Sequence, residues 1–220
     1  MARELRLPLG SAEFNRLRLL PSKLQLDVPW WNLRWAHFDN PKDRFFATAS
    51  GRLTPSSGTI PCLYLAEKPE TSFHQLYGDT LDACKKQSLE PLFTKKELED
   101  RIYLKTATPL SVNIYDLTAK ESARTIGLDL ATLYTREISF PREFAQRLHD
   151  HPSNFDGILY LSRHTQTRCL VLWATHTPAL KTIALDRGPG LWALAFFERT
   201  LLTGSMRLFG TTIRVAAAPA

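Results

Sequence analysis

The chain has 220 residues, of which 44% are hydrophobic and 23% charged; this is the balance of a globular protein able to bury a substantial core in one domain. Its net charge of +6 and pI near 9.3 favour an anionic partner (nucleotide, nucleic acid or acidic protein), although a solvated basic surface gives the same balance. Cys62, Cys84 and Cys169 are odd in number and lack CxxC spacing, which argues against a disulfide frame or zinc site and for reduced thiols. No apolar signal core follows Met1, and the most apolar run, Leu191 to Phe197, stops at Glu198 and Arg199, short of a membrane span. A cytoplasmic protein with no membrane partner is expected.

Residues 1–30 read as a basic N-terminal arm, with Arg3, Arg6, Arg16, Arg18 and Lys23 set among Leu and Pro. A short helix from Ala12 to Leu20, capped by Ser11, is predicted within it. Whether the arm lies across the body or holds a partner is open. Residues 31–220 read as one domain. Alternation from Asn32 to Phe38 predicts a strand with Leu33, Trp35 and His37 on one side and Arg34, Ala36 and Phe38 on the other. Asn40 to Asp43 is a turn, and Arg44 to Thr59 a loop containing Gly51-Arg52-Leu53-Thr54-Pro55.

The stretch from Leu63 to Asp79 is the organising element. Cys62 to Leu65 form a short apolar strand, Glu67 and Lys68 a turn, and Pro69 opens a helix at a position where its missing N–H costs nothing. Phe73, Leu76 and Tyr77 give that helix an inward face. Further on, Thr94 and Glu97 match a capping box for a helix through Arg101. Strands are predicted at 102–106, 110–115, 158–162, 169–174 and 180–185, and helices at 119–124, 141–149 and 191–202. Met206 to Val215 reads as a hairpin or edge strand. Together these elements predict a single α+β domain with antiparallel, split β-sheets flanked by helices.

Several chemistries find no support. The chain has no GxGxxG, no GxxxxGK[ST] and no GxSxG. His149, Asp150 and His151 are sequence neighbours at a helix end, so their side chains diverge, and no second cluster completes a shell. No metal is expected. Trp30, Trp31 and Trp35 beside Arg34 admit a base-stacking platform, but a buried aromatic knot explains them more simply, and nucleic acid is an unlikely partner for them alone.

Arg34, Arg52, Tyr64, residue 75 and Ser162 in Asp-Gly-Ile-Leu-Tyr-Leu-Ser-Arg recur in this order in one family. From about Arg34 to Trp173 the chain resembles RES-domain proteins, named for an Arg, a Glu and a Ser. The best register is Tyr64 through position 75 against the family's Tyr-Leu-Ala…Glu-Thr-Ala…Glu. The resemblance implies a fold like that of ADP-ribosyltransferase toxins and membership of toxin–antitoxin pairs. It also implies consumption of NAD by cleavage of the nicotinamide–ribose bond, with ADP-ribose passing to water, phosphate or a protein acceptor. A cognate antitoxin would then be a partner.

The residue types suit that chemistry. Arg34 and Arg52 can clamp a pyrophosphate through bidentate contacts, Tyr64 can offer a ring face to nicotinamide, and Ser162 can hydrogen-bond a ribose or amide oxygen. At position 75, where the family has Glu, this chain has Gln75. A carboxamide can still bind a hydroxyl but offers no charge to an oxocarbenium-like cation, a loss of roughly a hundred- to a thousandfold in rate. Glu67 and Glu70 lie off the face of position 75, and Asp79 lies about 6 Å further along the axis. The expectation is an attenuated NAD-cleaving enzyme using Arg52, Tyr64, Gln75 and Ser162, with Arg34 in binding. The rival is a non-catalytic module that binds NAD, ADP-ribose or a partner through the same pocket. Ser162 is expected on the same side of the sheet as Tyr64, with capping of the loop after it as the alternative.

Overall fold

The computed structural model describes residues 10–38, 51–107, 109–135, 137–174, 185–190, 205–209 and 211–216. Over these the chain forms α1 (Ser11–Phe14), β1 (Ser22–Leu26), β2 (Trp31–Trp35), a 3-10 turn (Ala36–Phe38), β3 (Cys62–Ala66), α2 (Pro69–Lys86), β4 (Leu92–Thr94), α3 (Lys95–Glu99) and β5 (Arg101–Thr106). It continues with β6 (Leu110–Asp116), α4 (Lys120–Thr125), α5 (Leu130–Leu133), α6 (Ser139–His149), β7 (Gly157–Leu161), β8 (Arg168–Trp173), β9 (Leu185–Gly190), β10 (Ser205–Leu208) and β11 (Thr211–Ala216).

Eight strands make one sheet in the order β1-β6-β7-β8-β3-β2-β5-β9, and a second sheet runs β10-β11-β4. Pairing in the large sheet is antiparallel except between β6 and β7. β3 pairs with β8 along its whole length, from Cys62 opposite Trp173 to Ala66 opposite Cys169. It pairs with β2 only at Trp31 opposite Ala66. The large sheet is therefore nearly divided between β2 and β3. This is the α+β architecture with split, mostly antiparallel sheets that the sequence predicts.

Burial follows the alternation of the central strands. Cys62, Ile158, Val171 and Trp173 face one side, where they meet Phe140, Phe144, Ala145 and Leu148 of α6. Leu63, Leu65, Leu159, Leu170 and Leu172 face the other, with Leu26 and Trp30. Because both faces are covered, β3 and β8 are almost continuously apolar. On the far side of the division, Phe73, Tyr77 and Leu81 recur at intervals of one helical turn along α2. They pack against Leu33, Phe93, Leu98, Tyr103 and Ile213.

The helix read over Ala12 to Leu20 is shorter, ending at Phe14 with Gly10 as its N-cap, and Ser22–Leu26 is a strand that spacing alone did not reveal. Phe14 and Leu19 are buried and β1 pairs with β6, so residues 10–30 pack onto the body. The strand from Asn32 to Phe38 breaks after Trp35 into a 3-10 turn, which ends its alternation. Thr94 caps α3 by accepting from the Glu97 amide at 3.0 Å, as its box predicts, but α3 stops at Glu99 and Arg101 opens β5. The helix read at 191–202, the turn at Asn40 to Asp43, the loop residues 44–50 and most of the strand read at 180–185 lie outside the described residues.

Gly157 opens β7 where a Cβ would run into the Val171 carbonyl of β8. Gly157→Ala is expected to cost roughly 1–3 kcal/mol by forcing this central strand pair apart, measured as a fall in the denaturant midpoint at unchanged slope.

Candidate functional site

The exit of β3 is fixed before the site begins. The Glu67 amide donates to the Arg168 carbonyl at 3.0 Å, and the Arg168 guanidinium grips the Glu67 carboxylate at 2.6 and 3.2 Å. That hydrogen bond and charge hold the Glu67 pKa down, against a smaller opposing effect of burial. Pro69 then starts α2, with Glu70 in its first turn and Lys85 and Lys86 in its last, in keeping with the helix dipole.

Tyr64 stands in β3 with its hydroxyl held by the 51–54 turn. The Leu53 amide donates to it at 3.0 Å, and it shares a 3.0 Å hydrogen bond with the buried Thr54 hydroxyl. Gly51 is required for this approach, since a Cβ there would come within 2.8 Å of the Tyr64 ring. Burial pushes the Tyr64 pKa up. The hydroxyl is thus an anchor for the turn that carries Arg52. The Arg52 Nη1 donates to the carbonyls of Leu133, at 3.2 Å, and Thr135. Burial lowers the Arg52 pKa, as does the nearby Arg163 charge, while Asp79, Tyr160 and Tyr64 act in the opposite sense. Arg34 is buried on β2; its Nε donates to Asn32 at 2.6 Å, and the Asn32 amide donates to the Tyr64 carbonyl at 2.8 Å across the division of the sheet.

Gln75 projects from α2 and donates through Nε2 to the Tyr160 hydroxyl at 2.9 Å. Tyr160 shares the α6 side of the sheet with Tyr64, and burial drives its pKa well up. Ser162 follows Ile158 and Tyr160 in the same alternation, which gives it the parity of that side. Its buried hydroxyl accepts from the amides of His164 and Thr165, each at 3.3 Å, so its described contacts are those of a loop cap. The same loop is fastened to α2 by a hydroxyl cluster of Thr71, Thr165 and Thr167.

Asp79 is ion-paired with Arg163. Although partial burial alone would raise its pKa, this pair, with the charges of His164 and Arg52, holds it below the usual carboxylate range. It is therefore a paired carboxylate facing Arg163 and not a spare acid beside Gln75. Tyr160, Arg163, Asn32 and Thr54 belong to this set but were not singled out in the sequence. Only Tyr160, two residues before Ser162 on a strand, carried a signal that could have found it.

Asp79, Asp82 and His164 bring three possible ligand atoms within 4.8 Å of one another. They are already engaged: Arg163 donates to His164 Nε2 at 3.1 Å and holds Asp79, while His164 Nδ1 lies 3.2 Å from Asp82. A nearby cleft of about 380 Å³, lined by His74, Asp82, Lys85, Glu90 and His164 among others, includes none of Arg34, Arg52, Tyr64, Gln75 or Ser162. The Trp residues form no exposed platform: Trp30 is buried, Trp31 sets its edge against Tyr103, and Trp35 lies 3.4 Å beneath the Arg101 guanidinium.

The RES domain family matches residues 29–193, and the chain belongs to that family. In fold it is similar to the toxin of the M. tuberculosis MbcT–MbcA toxin–antitoxin complex, with 18% identity, a TM-score of 0.53, and coverage of 84% of this chain and 92% of that one. No curated protein matches the chain. It is a RES-domain protein, and no helix among the described residues is long and apolar enough to cross a membrane.

The buried tyrosines set an alkaline limit. Burial raises the pKa of Tyr64, Tyr103, Tyr115 and Tyr160, and takes Tyr77 to about 12. Their folded values exceed the unfolded value of about 10, so the stabilisation is whole below that pH and is lost as pH rises through the folded values. Denaturant midpoints are expected to fall above about pH 10, with tyrosinate absorbance appearing together with unfolding.

Proposed function

We propose that this protein binds NAD at the site around Tyr64 and cleaves its nicotinamide–ribose bond at a rate limited by Gln75. Arg52, and Arg34 through the Asn32 bridge, supply cationic contacts for the pyrophosphate. The ring of Tyr64 borders the nicotinamide, and Ser162 retains an O–H to donate to ribose or amide. In the reaction the bond between nicotinamide and ribose C1′ breaks with its electron pair going to nicotinamide. An oxygen of water, phosphate or a protein acceptor then bonds to C1′ and releases its proton. The ribose passes through a cationic transition state, which a carboxylate at position 75 would stabilise.

The observation that carries this reading is the contact of Gln75 with Tyr160 at 2.9 Å. It aims a neutral carboxamide from α2 into the tyrosine-lined side of the sheet. Substrate affinity rests on the arginines and is retained, while the missing charge falls on the rate. A purely binding role is the rival that the same residue favours, and measured turnover separates the two. A cytoplasmic setting and a cognate antitoxin are part of the proposal, supported by the family and by the toxin–antitoxin complex of the structural neighbour.

Gln75→Glu preserves the contact, because the Tyr160 hydroxyl can donate to a carboxylate. NAD consumption by the purified protein is expected to rise roughly a hundredfold or more, with Kd for NAD nearly unchanged. Tyr64→Ala should abolish the gain. A native protein that consumes NAD at a rate Gln75→Glu leaves unimproved would show that position 75 is not where the cation forms. Failure of both forms to bind NAD would leave the fold without this activity.

A further inference from the structure

Arg163 is mounted more rigidly than a loop arginine requires. Its Nε donates to His164 Nε2 at 3.1 Å, and His164 is in turn held by Asp82 at 3.2 Å. The His164 ring lies directly on α2 because Gly78 offers no Cβ; any side chain there would collide with the ring. Ser162 ties the loop from within, accepting from the His164 and Thr165 amides. The three threonine hydroxyls pin its far end to the start of α2. The Arg163 side chain is 24% exposed, yet that of Asp79, which it holds, is 77% exposed.

Arg52 lies close enough to both members of this pair to feel their charges. Arg163 thus holds an exposed carboxylate through Nη2 while its Nε is fixed on a histidine, which leaves the terminal Nη pair as the fork open to a ligand. A guanidinium presents a planar fork suited to phosphate oxygens. An exposed carboxylate in a high-dielectric setting is a weak holder of it. Exchange of Asp79 for a phosphate group would leave the His164 contact, and so the direction of the fork, intact.

We infer that Arg163 is a further diphosphate-binding residue, paired with Arg52, and that Asp79 holds it and competes with the ligand for it. The inference deepens the proposed function, on whose ADP-ribose-containing ligand it rests, by adding a binding residue and an internal competitor. Asp79 then acts on affinity: it weakens anion binding and sharpens selection for ligands that carry enough charge to displace it.

The test is calorimetric titration of the full chain at fixed ionic strength with ADP-ribose and, separately, inorganic pyrophosphate. The proteins are the wild type, Asp79→Asn, Arg163→Gln and the double variant, each checked for an unchanged unfolding transition. Asp79→Asn should tighten both ligands by about fivefold, and Arg163→Gln should weaken both by about tenfold. In the Arg163→Gln background Asp79→Asn should give much less than its fivefold gain, because the carboxylate acts chiefly through that arginine and only weakly through Arg52. Arg163→Lys, which keeps the charge without the fork and spares the fold, should fall between wild type and Arg163→Gln. Tightening by Asp79→Asn that is undiminished without Arg163 would overturn the inference. ADP-ribose binding indifferent to all four changes would also overturn it while leaving the proposed function standing. The expected pattern for pyrophosphate with no ADP-ribose binding in any variant would uphold the cation pair and remove the NAD reading. Binding of neither ligand to wild type or to Asp79→Asn would remove both.

Discussion

A single backbone pairing, Trp31 opposite Ala66, joins the two parts of the large sheet, and the site depends on how little that pairing fastens. A fully zipped β2–β3 ladder would bond the β3 main chain along its length. Instead the Tyr64 carbonyl is met by a side chain, Asn32, whose other atom steers Arg34. The freed strand edge is used, and the Tyr64 carbonyl keeps a hydrogen-bond partner there. α2 spans the same region, with Phe73, Tyr77 and Leu81 committed to the β2 and β5 side and Gln75 turned to Tyr160. One helix thus addresses both parts of the sheet.

The fixed geometry is organised by tyrosine hydroxyls more than by charges. Tyr64 holds the Arg52 turn, Tyr160 receives Gln75, and Tyr134 donates to the Leu161 carbonyl at 2.9 Å just before Ser162. Such bonds are neutral and each contributes about 1 kcal/mol, but they are directional, so they place the cations without neutralising them. Of the cations placed around Tyr64, Arg163 is ion-paired with Asp79, and Arg52 feels the charges of both.

The two buried cysteines take no part. Burial takes the Cys62 and Cys169 thiols up to about 12, far from the thiolate form. This agrees with reading them as structural thiols. Their neighbours Thr54 and Tyr160 serve the site, so the residues of one strand face divide between filling space and holding partners in place.

The elements from Cys62 to Lys86 were legible in the sequence because each carries a local cause: an apolar pentapeptide, Pro69 at a helix start, and apolar residues one turn apart. The capping box at Thr94 and the amphipathic α6 were legible for the same reason. β1 was not, since Ser22–Leu26 is exposed along most of its length and gains its strand form by pairing with β6, a partner far away in sequence. The helix at Ala12 likewise ended early because Leu19 turns into the core instead of continuing a helical face.

For the site, the order Arg34, Arg52, Tyr64, Gln75 and Ser162 was readable as a family resemblance, and the register of that resemblance, counted from Tyr64, put Gln75 where the family has Glu. What those side chains touch was decided only by tertiary structure. The hold of Tyr64 on the 51–54 turn, the Asn32 bridge, the Tyr160 partner of Gln75 and the Arg163–Asp79 pair link residues from 2 to 85 positions apart. Hydrogen bonds and ion pairs depend on distance and angle within a few tenths of an ångström. A sequence fixes which groups exist and what they can donate or accept; only the packed sheet and α2 bring them within that range.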